Sequence, residues 1–120
     1  MLKNILLVGF GGGLGSIFRY LIGLLISYKH FPYATLTVNV VGSFFIGVAM
    51  AIISKQTQTV EYWYLIFVTG FLGGFTTFSA FSWNSLQLIH QQQFIAAFIY
   101  ILSTFLLTFA AVFVGYLLFK

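Results

Sequence analysis

Phe78 and Phe81 stand three residues apart in an apolar run, flanked by Thr76, Thr77 and Ser79. An aromatic ring is negative on its faces and positive on its edge, so rings turned edge-on can contact a small anion in place of water. Neutral polar side chains recur at helical spacing elsewhere. Thr35, Asn39 and Ser43 share one face at i, i+4 and i+8, as do Tyr100, Thr104 and Thr108, with Ser103 one step around. The second set forms a track of donors and acceptors that an ion or waters could follow. An amide such as Asn39 is costly to leave unpaired away from water, so it must reach another helix or a water-filled path. Interhelical glue and a pore-lining donor are both open readings for it, as lipid packing is for the phenylalanines, of which there are 16.

Other chemistries lack their residues. Glu61 is the single acid and falls in a loop, so no span offers a carboxylate for a proton relay or a cationic drug. His30 and His90 lie in separate loops without further metal ligands. The absence of cysteine removes disulfides, thiol catalysis and cysteine-ligated metals. No Ser/His/Asp set or carboxylate pair is available, so an enzyme is not expected. Gly9/Gly13, Gly11/Gly15 and Gly12/Ser16 are small residues four apart, suited to close helix packing; no dinucleotide-binding frame or P-loop lysine accompanies them. Arg19 sits near the far end of its span, where it either snorkels to the interface or stands at the mouth of an aqueous cavity and attracts anions. Neutral donors, one arginine and phenylalanines together favour an anion path over one for cations.

The elements that must position these groups follow from composition. In 120 residues, 61% are hydrophobic and 5% charged, with a mean hydropathy of +1.07. That describes an all-α integral membrane protein. Four spans fit, at roughly 4–28, 34–53, 63–89 and 94–119, in a single domain. They are separated by KHFPY with the only proline, Pro32, by SKQTQTVEY around Glu61, and by HQQQ at 90–93. The first reads as a retained span and not a signal peptide, because glycines interrupt it and no cleavage pattern follows. The third is the longest, and Gly73, Gly74, Thr76 and Thr77 predict local unwinding near its centre, with threonine hydroxyls satisfying freed backbone groups.

The net charge of +4 reflects missing acids and not a basic patch: Lys3, Lys29, Lys55 and Lys120 are spread over different ends as interfacial anchors, which excludes nucleic acid as a partner. Lys3, Lys55 and Lys120 fall on one side, and Lys29 on the other with Arg19 nearby. So weak a bias predicts that the chain inserts both ways up. Gly9-Phe10-x-Gly12-Gly13 and Gly70-Phe71-x-Gly73-Gly74 form a weak internal echo between two spans of the same direction.

GGLGSIFRY at 12–20, TLTVNVVGSFFIG at 35–47 and, above all, GFLGGFTTFSAFS at 70–82 resemble the Fluc (CrcB) fluoride channels, and the match runs through all four spans. The resemblance implies an antiparallel, dual-topology homodimer in the plasma (inner) membrane, passively conducting fluoride out of the cytoplasm and so lowering its toxicity. It implies that Phe78 and Phe81 turn ring edges to fluoride. Asn39 and Ser79 would lie beside the path, Tyr100, Thr104 and Thr108 would form its polar track, and Arg19 its vestibule. It further implies a structural Na+ at the dimer centre, held by backbone carbonyls of Gly73 and Thr76. Ala80 departs from the threonine of many members, which puts one hydroxyl contact in doubt. The competing readings are a small proton-coupled multidrug transporter, for which Glu61 is misplaced, and a noncatalytic membrane scaffold.

Overall fold

The structure, a computed structural model, describes residues 1–26, 30–56 and 60–120; Lys29 lies outside them. The described residues are all-helical, with no strand among them. Four helical stretches are long and apolar enough to cross a bilayer: Leu2–Leu25, Tyr33–Ser54, Glu61–His90 and Phe94–Phe119. The first two are α1 and α2. The third is composite. It runs from α3 (Glu61–Trp63) through a π-helical stretch (Tyr64–Leu72) and α4 (Gly73–Phe75) to α5 (Phe78–His90), and α6 (Phe94–Phe119) follows.

Pro32 stands at the N-cap of α2, where a ring-fixed φ and a missing N–H cost a helix nothing. The turn from α5 to α6 needs only three residues. There the N–H groups of Gln92 and Gln93 close on the carbonyls of Ile89 and Leu88, and Gln92 takes a left-handed φ of 59°. Glycine usually occupies this position.

Two parallel pairs of helices build the bundle, and glycine sets the closeness of each. A methyl on Gly11 would strike the Ile66 carbonyl, one on Gly15 the Phe71 carbonyl, and one on Gly74 the Gly12 carbonyl. Gly9 and Gly13, equally suited by spacing, meet nothing within 4 Å. α1 therefore lies backbone to backbone along the π-helical stretch and α4. In the other pair, α2 lies along α6, with Gly47 against the Val112 carbonyl and Gly115 against the Phe44 carbonyl. α5 packs on α6, so the third span begins against one pair and ends against the other. Large apolar side chains such as Phe10, Phe98 and Phe113 remain exposed on the outer faces, where hydrocarbon takes the place of a core.

Within the third span, the non-helical dihedrals fall on Thr76 (φ −83°, ψ 157°) and Thr77 (φ −153°, ψ 119°). Gly73 has helical angles of −64° and −37°. Of the four residues expected to unwind, the two glycines stay helical, and Gly74 is held in contact with α1. β-Branched threonine suits extended backbone, and its hydroxyl can stand in for helical partners.

Candidate functional site

The side chain of Asn39, 8% exposed, clasps the backbone of Thr77 from both sides. Its Nδ2 donates to the Thr77 carbonyl at 3.0 Å, and its Oδ1 accepts from the Thr77 N–H at 2.8 Å. In an unbroken helix that N–H would bond the Gly73 carbonyl. Thr77 in turn caps α5: its Oγ1 accepts from the Ala80 N–H at 3.1 Å, the donor that a continuous helix would give to the Thr76 carbonyl. The carbonyls of Gly73 and Thr76 are thus two of those over 73–76 that lose their usual helical donors, theirs being taken by Asn39 and Thr77. Both are hard neutral oxygen ligands of the kind that sodium accepts.

A cavity of about 240 Å³ opens beside this point, lined by Asn39, Phe78, Phe81, Thr104 and Thr108 together with Ser43, Thr76 and Thr77. Eight of the side chains singled out from the sequence are therefore brought together from α2, the break before α5, α5 and α6. Phe81 is buried at the centre of an aromatic group. Its ring lies 5.4 Å from Phe78, 5.3 Å from Tyr100 and 5.9 Å from Phe105, the last at 85°. Phe78 is 71% exposed and Phe109 likewise, so the cavity is open on one flank.

The other candidates lie apart from it. Tyr100 is fully buried behind Phe81. Ser79 is exposed and shares a 3.2 Å contact with Thr77 Oγ1, in which either hydroxyl can donate. Gly73 is exposed on the flank of the third span. Arg19 lines a separate cavity of about 320 Å³ with Ser16, Tyr20, Thr35, Thr77 and Ala80. Thr77 borders both cavities, and the Asn39 clasp stands between them.

The hydroxyl track differs from a simple row of donors. Thr104 Oγ1 donates to the Tyr100 carbonyl at 2.7 Å and Thr108 Oγ1 to the Thr104 carbonyl at 2.6 Å. Each threonine has one hydroxyl hydrogen, and each has turned it back into its own helix. Oxygen lone pairs and methyl groups are left for the cavity. Donor capacity is concentrated at the third span instead. Asn39 retains a second Nδ2 hydrogen, and of the two hydroxyl hydrogens of Thr77 and Ser79 their mutual contact uses one.

The family described as "CrcB-like protein, Camphor Resistance (CrcB)" matches residues 6–116. The chain belongs to the CrcB family. Among curated relatives of this CrcB protein, a "Fluoride-specific ion channel FluC" of Azobacteroides pseudotrichonymphae is 42% identical over 98% of the chain and 97% of its own length. One from Rhizobium johnstonii is 44% identical over 92% and 90%. One from Pyrococcus abyssi is 38% identical over 98% and 96%.

One group in the CrcB chain escaped the sequence reading. Asn84 donates from Nδ2 to Thr35 Oγ1 at 2.8 Å and reaches the Tyr100 hydroxyl at 3.5 Å. It ties α2, α5 and α6 together next to the ring of Phe81. The signal was present: Asn84 follows Phe81 by three residues, one turn along the same face. It sat in the part of the third span already polar enough to pass for a helix end.

Proposed function

We propose that the protein is a fluoride-selective channel that lets fluoride leave the cytoplasm passively and so limits its toxicity. It is not an enzyme, and it resides in the plasma membrane as a multi-pass protein. The observation that carries this reading is the 240 Å³ cavity, in which Phe78 and Phe81 meet Asn39, Thr104 and Thr108 with no acidic side chain in the lining. Its makeup suits an anion small enough to exchange its water for amide and hydroxyl hydrogens and ring edges. Relatives named fluoride-specific channels along nearly the whole chain support the same ion. A multidrug transporter would need a carboxylate at membrane depth, and Glu61, expected in a loop, is instead the first residue of the third stretch, at its very end.

In this reading Phe78 and Phe81 offer ring edges and Asn39 an N–H. Tyr100, Thr104 and Thr108 line the track, Ser79 supplies a hydroxyl to Thr77, and Arg19 gathers anions in its own cavity. The chain acts as an antiparallel dual-topology homodimer, because exposed Phe78, Phe109 and Gly73 leave the cavity flank and the helix interruption open to a second copy. Gly73 and Thr76 of the two copies would hold a structural Na+ at the axis, where the ion supplies positive charge between two negative helix ends.

Purified protein in liposomes loaded with fluoride, followed by a fluoride electrode, tests the proposal: efflux down the gradient is expected and chloride efflux is not. Release no faster than from protein-free vesicles would overturn it. Replacing sodium by a large organic cation is expected to lower dimer stability; equal stability in both would remove the assignment to Gly73 and Thr76.

A further inference from the structure

A second groove lies on the outer surface, away from the cavities above. Phe45, Ala49, Ile52 and Ile53 of α2 form one wall and Trp63 and Phe67 of the third span the other, enclosing about 270 Å³ with an almost wholly apolar lining. Its mouth is at the end of the bundle, since Trp63 closes α3 and Ser54 ends α2. From Ser54 inward to Phe45 the helix descends ~14 Å at ~1.5 Å per residue, close to the ~15 Å depth of one hydrocarbon leaflet.

Positive charge shares that end of the bundle. Lys55 is the C-cap of α2, adjoining the groove wall. Lys3 places its Nζ 4.3 Å from the ring centroid of Tyr62, the neighbour of Trp63. Lys120 directly follows α6, which runs parallel to α2. Three lysines therefore share this end with a single acid, Glu61. A second copy in either orientation has only one acid, Glu61, to set against them. A phosphate would neutralise them.

We propose that this groove is a binding site for an anionic phospholipid, with one acyl chain between α2 and the third span and the headgroup phosphate at Lys55 and Lys3. Trp63 sits at headgroup depth, as interfacial tryptophan does. The site rests on membrane insertion alone and does not depend on fluoride conduction. If two copies insert in opposite senses, each leaflet contains one such site.

The two tryptophans, Trp63 and Trp83, allow a direct test. The Trp83→Phe protein reports from Trp63 alone and is placed in nanodiscs of brominated phosphatidylcholine, which quenches tryptophan. Unbrominated phosphatidylglycerol is then added in steps. One lysine near a membrane surface shifts anionic-lipid partition about fivefold, so fluorescence is expected to recover at about one fifth of the phosphatidylglycerol that simple dilution requires. Lys55→Gln, at an exposed position, should return recovery toward the dilution curve. Recovery that follows dilution before any lysine is changed would overturn the site. So would emission that brominated lipid never quenches, which would mean that a second copy fills the groove.

Discussion

Asn39→Leu probes the clasp on Thr77, because leucine keeps the branched four-heavy-atom skeleton of asparagine and removes both of its hydrogen bonds. The 3.0 Å and 2.8 Å bonds satisfy the backbone acceptor and donor of one residue. An unsatisfied buried polar group costs about 1–3 kcal/mol, and hydrogen bonds inside membrane proteins average about 0.6 and reach about 1.7 kcal/mol. The Thr77 N–H has one escape, which is to return to the Gly73 carbonyl and restore the helical bond. The Thr77 carbonyl, at the N-cap of α5, keeps only the first-turn N–H of that helix, from Phe81. The expected loss is therefore about 1–3 kcal/mol, combining one acceptor left with a single first-turn donor and one partly recovered donor.

Denaturant titration of the protein in micelles measures that loss. Amide exchange at Thr77 shows whether the N–H found a new partner. A recovered Gly73 bond should also weaken the response to sodium, because it withdraws one of the two proposed carbonyl ligands. Stability within about 0.5 kcal/mol of the parent, with unchanged exchange at Thr77, would refute the claim that Asn39 holds the interruption open.

The glycine seam gives a sharper contrast: Gly15→Ala, whose methyl meets the Phe71 carbonyl, should sharply reduce folded protein on size-exclusion chromatography, whereas Gly9→Ala and Gly13→Ala, with open space around them, should leave it unchanged. Gln92→Gly should raise thermal stability by about 0.5–1 kcal/mol by relieving the left-handed φ of 59°, and Gln92→Val should lower it. Phe81→Ile should cut fluoride flux in liposomes while dimers still form on cross-linking; undiminished flux would reduce the ring to a packing role.

What the sequence disclosed depended on whether the signal was periodic. Four spans were legible because hydrophobic runs and polar separators require no knowledge of partners. The Thr35/Asn39/Ser43 face was legible for the same reason, and Asn39 and Ser43 do line the cavity. Spacing could not choose between Gly11/Gly15 and Gly9/Gly13, since both pairs repeat every four residues. The choice depends on which face α1 turns to the third span. The π-helical stretch Tyr64–Leu72, which lies against α1, had no visible signature in its residue types either. Near the centre of the third span, composition marked the region and tertiary contact chose the residues. Gly74 was pinned by Gly12, and the extended backbone moved onto Thr76 and Thr77.

The same dependence on partners alters how the hydroxyl track must work. Tyr100, Thr104 and Thr108 at four-residue spacing promised a row of donors, yet that spacing is also what lets each threonine hydroxyl reach the carbonyl one turn back. An anion passing Thr104 and Thr108 can gain their hydrogens only by displacing bonds of 2.7 and 2.6 Å, each worth about 1 kcal/mol. At the Thr77 end no such exchange is needed, since Asn39 has an N–H to spare and one of the Thr77 and Ser79 hydroxyl hydrogens is left over. A dehydrated anion would therefore be held most strongly beside the interrupted third span and more weakly along α6. Replacing Thr104 by serine, which keeps the hydroxyl and frees its rotation, should then change flux less than replacing Thr77 by valine, which keeps the shape and removes the hydroxyl. Equal effects in the liposome assay would refute that ranking of donors.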